Sequence, residues 1–213
     1  MSSLLIVDDH TIVREGLGRM LGSELPECTI GYASTAQEAL TAIETKSWSL
    51  AVLDISLPGG DGLELIRTVK DRSASTRILV HTMHPEDQFG VRSLRAGADG
   101  YITKDASVND IILAVRRILA GGRYVSPALA EVLAGTVAAN SDRGLASLSD
   151  REFQVLRSIT AGKTPTDIAD ELLLSIKTVS TYRARVLEKL DLRTTADLIR
   201  FGLENHLDGT PHA

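Results

Sequence analysis

Five residues in the first half of this chain could do chemistry together: Asp8, Asp9, Asp54, Thr82 and Lys104. Asp8-Asp9 follows the apolar run Leu4–Val7, and Asp54 follows Leu50–Leu53 directly. Thr82 closes the run Arg77–Thr82, and Lys104 follows Gly100–Thr103. Three clustered carboxylates repel one another unless a cation neutralises them. A hard divalent ion that prefers oxygen ligands, such as Mg²⁺, meets that need. The ion offers an open position to a phosphoryl oxygen, and the Lys104 ammonium and Thr82 hydroxyl can hold others. Asp54 is left as a nucleophile able to form an aspartyl phosphate. Singly, each residue has an ordinary role: Asp9 as a helix cap, Thr82 as a strand residue, Lys104 as a solvated loop charge. The chemistry requires one edge of a fold to collect them all.

The elements able to do so are legible in the spacing. Leu50–Leu53 is four apolar residues in a row, as in a central parallel strand covered on both faces. Pro58, Gly59, Gly60 and Gly62 then force a loop. Leu4–Val7, Thr29–Ala33, Arg77–Thr82 and Gly100–Thr103 supply four more strands. Helical patterns alternate with them: Ile12 to Leu21, a segment opened by the capping-box sequence Thr35-Ala-Gln-Glu38, Asp61–Arg72, a weaker one over Pro85–Ala96, and the amphipathic run Val108–Leu119 ended by Gly121-Gly122. Five strand–helix pairs within residues 1–122 predict a five-stranded, doubly wound parallel α/β domain with right-handed crossovers. Ligands of such sheets bind outside the carboxyl ends of the strands, where all five residues fall.

Residues 123–147 read as a linker. A short helix over Pro127–Ala138 would put Leu129, Val132 and Leu133 on one face, and a small, polar stretch follows. Residues 148–207 are helical throughout and densely capped. Ser149-Asp-Arg-Glu152 is a capping box, with Leu148 placed to staple onto Phe153. Thr164-Pro165 puts proline at a first helical position, and Ser175 and Thr194 cap two further helices. This is an all-α, four-helix pattern of helix-turn-helix type, and residues 208–213 are a tail. Its third helix, Ser175–Leu190, carries Lys177, Arg183, Arg185 and Lys189 against Glu188, a net charge of +3. Val179, Tyr182, Val186, Leu187 and Leu190 form the opposite stripe. A basic face on the second helix of a helix-turn-helix is the footprint of major-groove docking; a solvated cationic face is the plainer alternative.

Bulk charge does not announce a nucleic-acid binder. The chain carries a net −5, with 12 Lys/Arg against 16 Asp/Glu in residues 1–122 and 9 against 9 in residues 148–207. Cys28 is the sole cysteine, so an intrachain disulfide is impossible and a reducing compartment fits. The amino terminus lacks the basic flank and long apolar run of a signal peptide, and no run of about 18 apolar residues is present to span a membrane. A soluble, cytoplasmic protein without membrane contact is expected.

In order and spacing, Leu5-Ile-Val-Asp-Asp-His10, Leu53-Asp-Ile-Ser-Leu-Pro-Gly-Gly-Asp-Gly62, Thr82-Met-His84 and Gly97-Ala-Asp-Gly-Tyr-Ile-Thr-Lys-Asp105 resemble a response-regulator receiver domain. Leu148-Ser-Asp-Arg-Glu152, Ile168-Ala-Asp-Glu-Leu172 and Ser175–Leu190 resemble a LuxR-type DNA-binding domain. Together the halves resemble a bacterial two-component regulator of the NarL/FixJ family. The resemblance implies that Asp54 takes phosphate from a sensor histidine kinase, that Asp8, Asp9, Asp54 and the Ser56 carbonyl bind Mg²⁺, and that Thr82 and Tyr101 form a switch pair. Thr82 would swing to the phosphate and Tyr101 would turn inward behind it. It implies promoter DNA as partner, through Lys177, Ser180, Thr181, Tyr182, Arg183, Ala184, Arg185 and Lys189. A homodimer on DNA or on phosphorylation, with RNA polymerase as a further contact, belongs to the same expectation. Candidate dimer surfaces are the first helix, Val108–Leu119 and the helix around Leu198–Leu203.

Some residues depart from the pattern. His81 stands where an aliphatic residue is expected, Tyr182 where His is frequent, and Pro165 where a polar residue is usual. Met83 is bulkier than the small residue many receivers place there, and His10 reads as a helix-start residue. Other functions fit less well. An adaptor acting without phosphorylation does not need the complete Asp8, Asp9, Asp54, Thr82 and Lys104 set. A dehalogenase-type phosphatase needs a second Asp where Ser56 stands. A Walker loop needs glycine where Arg157 precedes Gly162-Lys163-Thr164. No enzymatic role is expected beyond self-phosphorylation and slow self-dephosphorylation.

Overall fold

The computed structural model describes residues 2–58, 61–139, 144–205 and 207. Gly59 and Gly60 of the expected loop, residues 140–143 of the expected linker and the tail 208–213 lie outside the described residues. The chain divides into two compact units, Met1–Ala134 and Gly135–Ala213.

The first unit is built on five parallel strands: β1 (Ser3–Val7), β2 (Thr29–Ala33), β3 (Leu50–Leu53), β4 (Arg77–Thr82) and β5 (Gly100–Thr103), in the order β2-β1-β3-β4-β5. Helices α1 (Thr11–Glu24), α2 (Ala36–Thr45), α3 (Gly62–Arg72), α4 (Glu86–Ala96) and α5 (Val108–Leu119) alternate with them. β1, β3 and the middle of β4 read as unbroken apolar runs because helices cover both faces: Leu4 to Val7, Leu50 to Leu53 and Ile78 to Val80 are all fully buried, whereas the edge strand β2 is mostly half-buried or exposed. One face packs Leu4, Ile6, Leu50, Val52, Leu79 and Ile102 against Leu17 and Leu21 of α1 and Ile111, Val115 and Ile118 of α5. The expected doubly wound sheet is present.

Local signals set most helix starts. Asp61 accepts from the Leu63 N–H at 3.0 Å and caps α3, so Gly62 is the first helical residue rather than part of the loop. Ser107 likewise caps α5. The expected box at Thr35 forms by half. Its hydroxyl accepts from Glu38 N, but the Glu38 carboxylate takes both N–H and O–H of Ser34, one residue earlier. After α5, Tyr124 makes a parallel bridge to Gly100, and α6 runs from Pro127 to Ala139, one residue past the expected end.

The second unit holds α7 (Asp150–Thr160), α8 (Pro165–Leu172), α9 (Ile176–Lys189) and α10 (Thr195–Glu204), preceded by a 3₁₀ turn at Leu145–Ser147. Reciprocal capping boxes open α7 with Ser149 and Glu152, α8 with Thr164 and Asp167, and α10 with Thr194 and Asp197. Phe153, Val155, Leu156, Ile168, Val179, Val186 and Leu198 form its buried core. Leu203, assigned to the last apolar stripe, is 49% exposed. Among the described residues, no helix is long and apolar enough to cross a membrane.

Candidate functional site

All five candidate residues stand at the carboxyl edge of the sheet. The register sets Val7 beside Leu53 and Leu53 beside Val80, so Asp8 and Asp54 leave adjacent strands at the same level. Thr82 pairs with Thr103, one residue before Lys104. Lys104 Nζ lies 2.6 Å from Asp54 Oδ2 and 2.7 Å from Asp8 Oδ2, and all three side chains are buried. The Ser56 N–H donates to Asp54 Oδ1 at 2.8 Å, and the Ser56 and Thr82 hydroxyls are 3.1 Å apart. Gly62 tightens this loop: a Cβ there would stand 2.3 Å from the Ile55 carbonyl oxygen.

The electrostatics favour an ionised set. Burial pushes the Asp54 carboxyl up, but the Lys104 ammonium and the Ser56 N–H outweigh it, and its pKa is lowered. Burial works against the Lys104 charge as well, yet its hydrogen bonds to Asp54 and Asp8 leave its pKa raised. Both partners agree that the pair is charged.

The acidic residues also suit a cation. Ligand atoms of Asp8, Asp9, His10 and Asp54 lie within 4.8 Å of one another. Asp9 Oδ1 is buried without a regular hydrogen bond, its near neighbour being His10 Nδ1 at 3.0 Å. A buried carboxylate oxygen left this way is costly unless a cation meets it. Arg14, not singled out from sequence, steadies the loop by donating to the Asp8 carbonyl at 2.6 Å.

Tyr101 is fully buried, and its hydroxyl donates to the His84 carbonyl at 2.8 Å. The His84 ring stacks on Phe89 with centroids 4.3 Å apart. His81 follows Leu79 by two residues and pairs with Ile102, which puts it on the α1–α5 face. It is 5% exposed, its Nε2 lacks a hydrogen-bond partner, and its pKa is lowered to about 4 by burial and then by the Lys104 charge. Met83 is exposed. Sequence spacing gave no sign of Asp99. This buried residue pairs with Lys70 and Arg77, both at 2.7 Å, and accepts from Ile78 N at the opposite strand ends.

In the second unit, Lys177, Ser180, Thr181, Ala184 and Arg185 of α9 are exposed while Val179 and Val186 are buried. Tyr182 is half-buried. Two cations of the basic face have partners within the unit. Arg183, itself exposed, donates to Thr195 Oγ1 at 3.1 Å. Lys189 reaches Glu152 Oε2 at 2.7 Å and the Ser147 carbonyl at 3.0 Å.

A parallel sheet with a buried Asp–Lys pair at its carboxyl edge, joined to a capped helix-turn-helix unit, defines a class: a receiver coupled to a DNA-binding output domain. Residues 4–116 match the response regulator receiver domain and residues 146–201 match the bacterial regulatory proteins of the luxR family. The chain is 39% identical to a putative transcriptional regulator of Pseudomonas aeruginosa, over 97% of this chain and 100% of the relative. It is 34% identical to the response regulator UvrY of Escherichia coli K12, over 96% and 97% of the two chains. In fold it is similar to RcsB of Salmonella enterica bound to promoter rprA, with TM-score 0.75, 24% identity and 94% and 97% of the chains covered. The chain belongs to the NarL/FixJ family of response regulators, with a receiver domain and a LuxR-type output domain.

Proposed function

We propose that Asp54 is the phosphoacceptor through which a sensor histidine kinase switches promoter binding by this chain. The observation that carries the reading is the Asp54 carboxylate itself, buried at the sheet edge, ionised against Lys104, and set beside the Thr82 hydroxyl. One Asp54 oxygen attacks phosphorus as the bond from phosphorus to the donor breaks. Lys104 and Thr82 then hold phosphoryl oxygens. Asp8, Asp9, Asp54 and the Ser56 carbonyl would hold Mg²⁺, which supplies neutralisation of the charge gathered on the phosphoryl oxygens; the buried Asp9 Oδ1 supports the fit. Self-phosphorylation from small donors and slow self-dephosphorylation belong to the same reading.

The working division is a receiver at 1–122, a linker at 123–147, a DNA-binding domain at 148–207 and a tail at 208–213. Lys177, Ser180, Thr181, Ala184 and Arg185 form the DNA-facing side of α9, with Tyr182 at its flank. Arg183 and Lys189 are exposed on the same helix, and their bonds to Thr195 and Glu152 leave them a supporting part in DNA contact. The active form is a homodimer on double-stranded promoter DNA in the cytoplasm, where it can meet RNA polymerase.

Acetyl phosphate with Mg²⁺, read on a phosphate-affinity gel and followed by a DNA mobility shift, tests the proposal. Wild type is expected to take up one phosphoryl group and to gain DNA affinity, and Asp54→Asn to do neither. Stoichiometric label on the Asn variant would move the acceptor elsewhere.

A further inference from the structure

The segment after α5 is clasped by the receiver at three points. Tyr124 N donates to the Asp99 carbonyl at 3.0 Å, and the same residue bridges Gly100 at the start of β5. The Ser126 hydroxyl donates to the Glu86 carboxylate in the first turn of α4 while accepting from Leu129 N at 3.0 Å, so one side chain both caps α6 and ties it to α4. Leu129 is fully buried, and it lies where the side chain of Gly90 would be: a Cβ on Gly90 would meet Leu129 Cδ1 at 2.5 Å. Glycine inside a helix costs about 1 kcal/mol against alanine. Here it opens a socket in α4 that Leu129 fills.

The same helix start is tied to the acidic edge. Thr82 ends β4 beside Asp54, and the chain passes through Met83 and His84 into α4. Tyr101 holds this connection by its bond to the His84 carbonyl, and the His84 ring rests on Phe89, the residue before the socket. Thr82 and His84 are therefore linked through the start of α4 to Glu86 and Gly90, the two residues that clasp α6.

We propose that Ser126 and Leu129 form a phosphorylation-gated latch. A change at Asp54 shifts the first turns of α4, and the Gly90 socket and Glu86 change their grip on α6, the helix that leads toward the DNA-binding unit. This rests on the reading of Asp54 as acceptor and adds the element that carries its signal out of the receiver.

The test uses the full chain with Mg²⁺, with and without beryllofluoride as the phosphoryl mimic. Hydrogen exchange is followed for amides 128–134, alongside affinity for a duplex selected on the wild-type protein. Gly90→Ala should raise helix propensity while expelling Leu129, and Ser126→Ala removes the cap and the Glu86 tie. In wild type, beryllofluoride is expected to change both exchange in 128–134 and DNA affinity, each by at least about fivefold, the lower range of ordinary coupling energies. In both variants, exchange should be fast with or without the mimic and the affinity ratio should fall toward one, with acetyl-phosphate labelling unchanged. Wild-type DNA affinity that responds while amides 128–134 do not overturns the latch alone. So does a Gly90→Ala protein that keeps the full affinity ratio. A wild type that neither labels nor responds in DNA binding overturns the Asp54 reading, and the latch with it.

Discussion

His81 shows how the acidic edge constrains a single side chain. Its imidazole is buried one strand away from Asp54 and is neutral, with a pKa lowered from 6.5 to about 4. A neutral buried histidine gives the native state fewer protons than the unfolded chain between those two values. Stability is then full above pH 6.5, falls by about 1.4 kcal/mol per pH unit toward pH 4, and levels off below. Asp54 and Asp99 have lowered pKa values, so their stabilisation is lost only at more acid pH, as each carboxylate takes up its proton. Urea unfolding followed through Trp48, the chain's sole tryptophan and buried in the first unit, isolates the receiver. Wild type should lose about 2 kcal/mol between pH 6.5 and 5, whereas His81→Leu should stay nearly flat over that interval. An equal loss in the leucine variant would assign the titration to other groups.

At the level of elements, the turn from α8 to α9 is strained in a way that can be removed. Leu173 caps α8 in the left-handed conformation, with φ 53° and ψ 45°, and is 92% exposed. A residue with a Cβ pays about 1–2 kcal/mol there, and a side chain facing water recovers little of it. Leu173→Gly is expected to stabilise the second unit by up to about 1 kcal/mol, after glycine's own entropy cost, seen as a rise in its thermal midpoint. A lower midpoint would show that Leu173 packs usefully. This turn was hidden in the sequence because left-handed positions are flagged by Gly or Asn, and Leu172-Leu-Leu174 flags nothing. The caps at Ser149, Thr164, Ser175 and Thr194 were legible because donor and acceptor lie two or three residues apart, and those at Asp61 and Ser107 emerge only from the structure. β1, β3 and the middle of β4 were legible because burial on both faces leaves an unbroken apolar run, as at Leu4–Val7 and Leu50–Leu53. Legibility fails where a partner is distant in sequence. Nothing near Lys189 announces Glu152, nothing near Asp99 announces Lys70, and the vacancy at Gly90 has meaning only once Leu129 fills it.

For the whole molecule, the anionic receiver and the neutral residues 148–207 leave little general attraction for DNA, so binding is expected to depend on a few cations of α9. Lys177 and Arg185 are exposed on the outer face, whereas Lys189 is spent on Glu152, a buried carboxylate whose pKa burial pushes up and the Lys189 bond brings down, to a lowered value. These residues should separate in experiment. Lys177→Ala and Arg185→Ala should weaken binding across sequences and each reduce the salt slope by ~1. Lys189→Ala should leave the slope alone and instead destabilise the second unit by about 1–2 kcal/mol, because Glu152 keeps the Ser149 N–H and the lysine it loses is partly exposed. Ser180, Thr181 and Ala184 are short, able to approach thymine methyls and base edges but not to make bidentate guanine contacts. One copy is then expected to have modest specificity, with two copies needed on a repeated half-site. The Thr181 hydroxyl donates to the Lys177 carbonyl at 3.0 Å, so it would meet a base through its oxygen as acceptor and through its methyl group. Thr181→Ala should relax one position per half-site by about 1–3 kcal/mol. Binding-site selection on wild type and Thr181→Ala, with salt titrations of the three cation variants, decides the matter. Unchanged base preferences remove Thr181 from the readout, and a slope lowered by Lys189→Ala would return that residue to the DNA-facing set.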